Sequence, residues 1–339
     1  MTPNQQAQNV SQKQTRISDF LNRDEITFFA TRSNWWGLWC IFSVWLVIAL
    51  TFTVMALAVD YLPWYWAIPV VMGGMVILGG RHLALAIVMH EAAHYTLFKD
   101  RWMNDVFANW TSAKFIWNDV RKFRAHHMVH HAHTTASFDP DRPIYEALPV
   151  TRKSLIRKFA RDFIGLTGMK FFIGRMLMSA GVLKWSDAMG ERADTSHWPW
   201  HRYLTNFFRD FWATFLVNLM LYQILAATGH GWLFLMWILA YAIPFTIFVR
   251  IRAMAEHACL ELVSDTLRNT RTTSAGWLAR MTVAPVRVNY HMEHHLMASV
   301  PYYRLPRLHK LLLQRGHIPQ PPSYIDVVRI CSSLSAQTK

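Results

Sequence analysis

From Ser33 to Gly80 the chain carries neither Lys nor Arg, and the same holds from Asp210 to Val249. A helix needs about 20 apolar residues to cross the hydrocarbon of a bilayer, so each stretch has room for two crossings. The first divides at Asp60-Tyr61-Leu62-Pro63 and the second at Thr228-Gly229-His230-Gly231, which predicts spans of about 36–59, 64–89, 210–227 and 232–249. Trp35, Trp36, Trp64 and Trp66 sit where an interfacial aromatic belt belongs. Composition points the same way: 53% of residues are hydrophobic and only 17% charged, against the greater charge of an ordinary soluble enzyme. The expectation is an all-α integral membrane protein with four transmembrane helices in two hairpins.

The formal net charge of +14 raises nucleic acid as a partner. However, the basic residues gather between and after the apolar stretches and never interleave with aromatics as a nucleic-acid surface would, so no nucleic acid is expected. Their placement matches loops facing an anionic cytoplasmic leaflet. Both termini, a cytosolic N-terminal segment (1–33) and a helical cap built from 90–208 and 250–339 are therefore expected on the cytosolic side. The membrane domain as a whole runs over 34–339. Residues 1–33 lack the pattern of a secretory signal peptide. Leu155 to Leu183 is apolar but interrupted by Lys158, Arg161, Lys170 and Arg175, so it reads as interfacial helix rather than a further span. Asp139-Pro140-Asp141-Arg142-Pro143 reads as a turn. Cys40, Cys259 and Cys331 are scattered and suggest neither disulfides nor a thiolate site.

The cap concentrates histidine. Five of 17 histidines fall within residues 126–133, and at about 100° per residue His127, His130 and His131 share an arc of roughly 100°. The same spacing recurs in His291, His294 and His295. His90 and His94 form an i, i+4 pair, and His257 follows the fourth span. His90 lies about 14 Å along a helix from Arg81, just beyond the lipid. Neutral imidazole is the commonest protein ligand for borderline metals. Nine convergent imidazoles exceed what one ion needs and suit two metals with open positions. The absence of thiolate favours redox iron, with zinc left open by ligand type alone. Glu91, Glu256 and Glu293 stand beside these histidines and are candidates to orient their rings. His126 and His133 point away from the triad. His82, His197, His201, His230, His309 and His317 read as interfacial or exposed.

The order His90-Glu91-x-x-His94, then Arg124-x-x-His127-x-x-His130-His131, then Asn289-Tyr290-His291-x-x-His294-His295-Leu296 resembles the membrane fatty acid desaturase superfamily over about residues 35 to 315. Members are integral-membrane di-iron enzymes with three histidine boxes. The resemblance implies that His90, His94, His127, His130, His131, His291, His294 and His295 ligate two ferrous ions, with His257 as an additional ligand. It implies O2 as co-substrate and desaturation of a lipid acyl chain. Val300-Pro301-Tyr302-Tyr303-x-Leu305 looks like the tail of bacterial members, implying a multi-pass protein of a bacterial inner membrane. Ala298 and Thr135 depart from the commonest pattern, and His291 argues against the front-end desaturases. No His-Pro-Gly-Gly segment marks a fused cytochrome b5 domain, so a separate ferredoxin, rubredoxin or cytochrome with its reductase is expected to supply electrons.

Two other readings compete. A hydroxylase of the same superfamily, acting on an acyl chain or a carotenoid ring, is suggested by His-His-x-His-Thr followed by Asp139-Pro140-Asp141. An intramembrane zinc protease would use His90 and His94 as ligands and Glu91 as base, but leaves the remaining clusters unexplained. Arg124 and neighbouring cations are candidates to hold an anionic head group.

Overall fold

A computed structural model describes residues 15–188 and 190–333; residues 1–14 of the N-terminal segment lie outside the described residues. The described chain is helical, and four helical stretches are long and apolar enough to cross a membrane: Asn34–Tyr61, Trp64–Ala93, Trp200–Ala227 and Trp232–Glu256, the last of them kinked.

Helix α1 (Arg23–Ala30) opens on a capping box in which Asn22 and Glu25 exchange hydrogen bonds of 2.9 and 3.0 Å. Helix α2 (Asn34–Tyr61) follows. Its residues Cys40, Val44, Ile48 and Phe52 repeat every four positions and are buried, whereas Phe42, Leu50, Val54 and Leu57 are apolar and exposed. A helix apolar on every side while packed on only one expects lipid on the other. Leu62-Pro63 ends it, since Pro63 has no amide hydrogen to continue the ladder.

Helix α3 (Trp64–Ala93) is the pillar of the molecule. It packs against α2 along its length, and its second half, from Leu78 to Ala93, is buried apart from Ala86. Arg81 lies inside that half, and its Nη2 donates to the carbonyls of Arg280 and Met281 at 3.1 and 2.9 Å. Gly80 lets the Met281 carbonyl approach where a Cβ would collide with it.

After short π, α and 3-10 turns over 103–116 comes α4 (Val120–Ala132), which Asp119 caps by accepting from the amides of Arg121 and Lys122. Helices α5 (Arg152–Phe163) and α6 (Leu166–Ala180) are too short to cross a bilayer. Two helices rich in apolar residues follow, α7 (Trp200–Ala227) and α8 (Trp232–Ala242), and then α9 (Pro244–Glu256). Beyond them lie α10 (His291–Leu296), α11 (Leu305–Gln314) and α12 (Tyr324–Cys331).

Three boundaries differ from the sequence expectation. The helix of the second expected span continues through Ala93, past residue 89. The third begins at Trp200, not 210, because Arg202 and Arg209 sit on a helix that continues upstream of the charge-free window. The fourth is not one helix over 232–249: it breaks at Ile243 (φ −115°, ψ −82°) and resumes at Pro244 through Glu256. Proline starts a helix well but disfavours helical geometry in the residue before it. The break has a use in packing, because a Cβ on Gly79 would come within 2.7 Å of Pro244 Cγ and one on Gly168 would strike the Ala242 carbonyl.

The N-terminal segment of the described chain clasps the region around α11. Leu21 and Phe29 share a core with Val300, Leu305, Leu308 and Leu312. The Tyr302 amide donates to Glu91 Oε2 at 3.0 Å, its hydroxyl to the Trp36 carbonyl at 2.9 Å, and the Tyr303 hydroxyl to the Thr31 carbonyl at 2.9 Å. Elsewhere Arg250 grips the fully buried Asp162 with two hydrogen bonds of 2.5 and 2.8 Å, joining α9 to α5. Removing one partner of a buried pair costs about 3–5 kcal/mol. The Arg250 side chain keeps 24% exposure, which favours the lower end. Asp162→Leu is thus expected to lower by several degrees the temperature at which detergent-solubilised protein loses its monodisperse gel-filtration peak. An unchanged temperature would mean that the pair is not holding α5 to α9.

Candidate metal centre

Four segments deliver nine histidines to one end of α3. His90 comes from its last turn and His94 from its C-cap, His127, His130 and His131 from α4, His257 from the C-cap of α9, and His291, His294 and His295 from α10. They divide into two groups. His90, His94, His127, His131 and His294 form one, and His130, His257, His291 and His295 the other. Within each, the candidate ligand nitrogens lie within 4.8 Å of one another. The groups share a wall where His131 and His295 stack, ring centroids 4.0 Å apart and planes 12° from parallel. All nine histidines singled out from the sequence are brought together. His133 is not, and rests on Phe138.

The donor geometry suits metal. His131 Nε2 is 3.0 Å from both His127 Nε2 and His294 Nε2, and His257 Nε2 is 2.8 Å from His291 Nε2. Two imidazole nitrogens each about 2.0–2.1 Å from a common ion at a right angle are about 2.9 Å apart. The Nε2 atoms of His90, His94 and His295 are buried without a hydrogen-bond partner among the described residues. Orphaned nitrogens in such number would be costly in a merely packed core. Burial, followed by the mutual repulsion of neighbouring imidazolium charges, holds His127, His131, His294, His295 and His291 well below the usual histidine pKa. Burial likewise takes His94 and His257 down to about 3. Near neutral pH these rings are uncharged, which is the ligating form.

Outer contacts aim the rings. His257 Nδ1 donates to the Asn269 carbonyl at 3.0 Å, and His130 Nδ1 to Asp139 Oδ1 at 2.9 Å, which turns both Nε2 atoms inward. For His130 the effect of burial is overcome by the Asp139 hydrogen bond and by the charges of Asp141 and Asp139, so its pKa is raised. Asp139 is itself fixed by the Thr135 amide (2.9 Å), the Asp141 amide (3.0 Å) and the Tyr145 hydroxyl (2.8 Å). Against burial, the His130 contact carries Asp139 down to about 2. Asp141 in turn holds His126 Nε2 at 2.7 Å. The segment read from the sequence as a turn is therefore also the support of α4. Its two carboxylates, 9 and 15 residues past the histidines they hold, were the available signal.

Of the three glutamates, one stands near the expected orienting role and two are engaged elsewhere. Glu256 Oε1 lies 3.4 Å from His291 Nδ1 and is held by Arg252 at 2.6 Å, close to the orienting role. Glu91 does not orient His90: the separation is 3.6 Å, and the carboxylate accepts instead from Thr96 and the Tyr302 amide. Glu293 pairs with His309 Nδ1 at 2.6 Å and Thr272 Oγ1 at 2.5 Å, away from the nine rings. His309 is thus a buttress rather than a surface residue. Arg124 is not free for a head group. It donates to the carbonyls of Ala93 (2.7 Å) and Ala92 (3.0 Å) and to Asp105 (2.6 Å), satisfying the end of α3 and tying it to α4.

An all-helical membrane protein with two adjoining imidazole clusters is the frame of a metal-dependent oxidoreductase. The fatty acid desaturase family model matches residues 66–319, and the chain belongs to that family. It is also similar to the dihydrorhizobitoxine desaturase of Bradyrhizobium elkanii, 24% identical over 255 residues that cover 74% of this chain and 69% of that protein.

Proposed function

We propose that the chain desaturates a lipid acyl chain with O2, using two ferrous ions and electrons from a separate ferredoxin-, rubredoxin- or cytochrome-type donor with its reductase. The observation that carries this reading is the division of nine buried imidazoles into groups of five and four around a shared wall. His90, His94, His127, His131 and His294 would hold one iron, and His130, His257, His291 and His295 the other. When bound, the pair supplies O2 reduction and the oxidising power to take hydrogen from an unactivated C–H bond. The balance is one acyl CH2–CH2 unit, O2, two electrons and two protons giving CH=CH and two waters.

The protein's part is to position and exclude. Asp139, the Asn269 carbonyl and Glu256 keep ring nitrogens aimed inward. Phe123 stacks on His127 at 4.8 Å and sheds water from that flank. Four apolar helices in two hairpins, with the histidine end among the Lys- and Arg-rich segments, support a cytosolic active site.

The test is expression in a host lacking unsaturated lipids, together with the donor proteins, followed by mass spectrometry of total lipid. The control is His295→Ala. An acyl species lighter by two hydrogens, absent in the control, is expected. Gain of one oxygen instead would make the protein a hydroxylase. A purified chain holding one zinc and no iron would overturn the reading.

A further inference from the structure

The sequence scatters the three cysteines, yet the fold sets two of them against each other. Cys259 and Cys331 are 72 positions apart in the chain, and their Sγ atoms lie 3.7 Å from one another, in S–H···S contact. Cys331 closes α12 and has no exposure, whereas Cys259 is half-buried. Both pack in an apolar core with Tyr145, Leu155, Met254 and Val327, which joins α12 to α9 and α5. Cys40 is buried elsewhere, in α2.

Both sulfurs are held in place by their surroundings. The chain leaves α9 at His257 and turns at Cys259, whose φ of +58° is a left-handed conformation that a residue with a Cβ adopts at a cost. Arg271 pins that turn by donating to the carbonyls of Met254 (3.3 Å) and Ala258 (3.0 Å). From the other side, the Val150 amide donates to the Cys331 carbonyl at 2.9 Å and fixes the end of α12. A free thiol packs as a small apolar group and needs no second sulfur beside it. One half-buried thiol touching one sealed thiol is the arrangement in which the first meets an oxidant and the second resolves it. Closing from 3.7 Å to the length of a disulfide takes about 1.7 Å, within the sweep of a cysteine side chain.

We propose that Cys259 and Cys331 are a reversible redox pair, which hydrogen peroxide converts to a disulfide that locks the segment between them. Cys259 Sγ attacks one peroxide oxygen and breaks the O–O bond, becoming a sulfenic acid as the first water leaves. Cys331 Sγ then attacks that sulfur, forming the S–S bond and releasing the second water. Two thiols and one H2O2 give one disulfide and two waters. The sulfurs lose two electrons, the peroxide gains them, and both thiol protons end in water. The locked segment contains His291, His294 and His295, so the bond closes a loop that carries three of the nine rings. Closing a long loop removes freedom from the unfolded chain. In a reducing compartment such a bond is transient, made by the oxidant and undone by thiol reductants.

The test exposes the purified full chain in detergent to hydrogen peroxide and quenches with catalase. Remaining thiols are then alkylated in denaturant, and intact protein and peptides are weighed by mass spectrometry. The expected product is a monomer two hydrogens lighter, with the peptides bearing Cys259 and Cys331 joined and Cys40 alkylated. Dithiothreitol is expected to restore the reduced mass. The oxidised chain is expected to keep its monodisperse gel-filtration peak to a temperature several degrees above that of the reduced chain. Cys331→Ser is expected to remove both the bond and the shift, leaving Cys259 as a sulfenic acid that dimedone captures. The peptide map of the unaltered chain decides the matter even where that variant fails to fold. Oxygen added at Cys259 without the cross-link, bonds between chains, or no change at either cysteine would overturn the proposal. A bond without the thermal shift would overturn the lock. None of these outcomes depends on which oxidation the metal centre performs.

Discussion

His294→Ala is expected to abolish product formation and to leave the purified chain with fewer than two irons. His294 belongs to the group of five, with its Nε2 3.0 Å from His131 and its ring 4.6 Å from those of both His90 and His94. Alanine removes a ligand and leaves a void among rings that cannot close over it, because the other four are fixed in pairs on α3 and α4. Loss of an outer partner of a ligand costs about 10–100-fold in affinity or activity, and loss of the ligand itself is expected to exceed that floor. Iron analysis and lipid mass spectrometry on the same preparation are the check. His133→Ala is the control, since that ring rests on Phe138 outside both groups. Full iron and full activity in His294→Ala would remove the five-membered group from the account.

The second large effect is assigned to Asp139→Asn. Asp139 accepts four hydrogen bonds and donates none, so a carboxamide must turn an NH2 toward at least one existing donor. His130 then loses the charge that holds its Nδ1–H outward. A fall of about 10–100-fold in activity and in iron affinity is expected, with membrane insertion intact. The informative comparison is Asp141→Asn. That residue holds His126, which belongs to neither group of nine, and its effect on iron content is expected to be smaller. Equal effects would make the whole 139–141 segment a folding element rather than an aiming device.

The contrast between what the sequence disclosed and what it concealed follows from the physics of each feature. Two Lys- and Arg-free stretches disclosed four apolar helices, because the cost of charge in lipid leaves a mark on composition that survives without any coordinates. Histidine spacing disclosed the nine rings, because residues three and four apart share a helix face. The start of the third helix at Trp200 was concealed for the converse reason: Arg202 and Arg209 belong to it, and charge-free length marks hydrocarbon rather than helix. The outward partner of His257 is a main-chain carbonyl, that of Asn269, which every residue possesses and no motif records. His82 was read as interfacial or exposed although it falls within the expected span of 64–89, because the packing that buries this half of α3 leaves no mark in the sequence. Arg124 looked available to a ligand until the end of α3 claimed it.

The clasp formed by Tyr302 also governs how the protein comes into being. On a ribosome adding about 5–20 residues per second, roughly ten to forty seconds separate the synthesis of His94 from that of His291. Throughout that interval α3 is made and its histidines wait without the partners from α10. The Tyr302 amide that fixes Glu91 arrives later still, so the first box is secured by nearly the last part of the chain to emerge. A translation product cut short before residue 291 therefore has its spans but neither complete ligand group. Completion of the nine-histidine cluster belongs to the time after His295 is made, when the last segments of the chain fold back upon the end of α3.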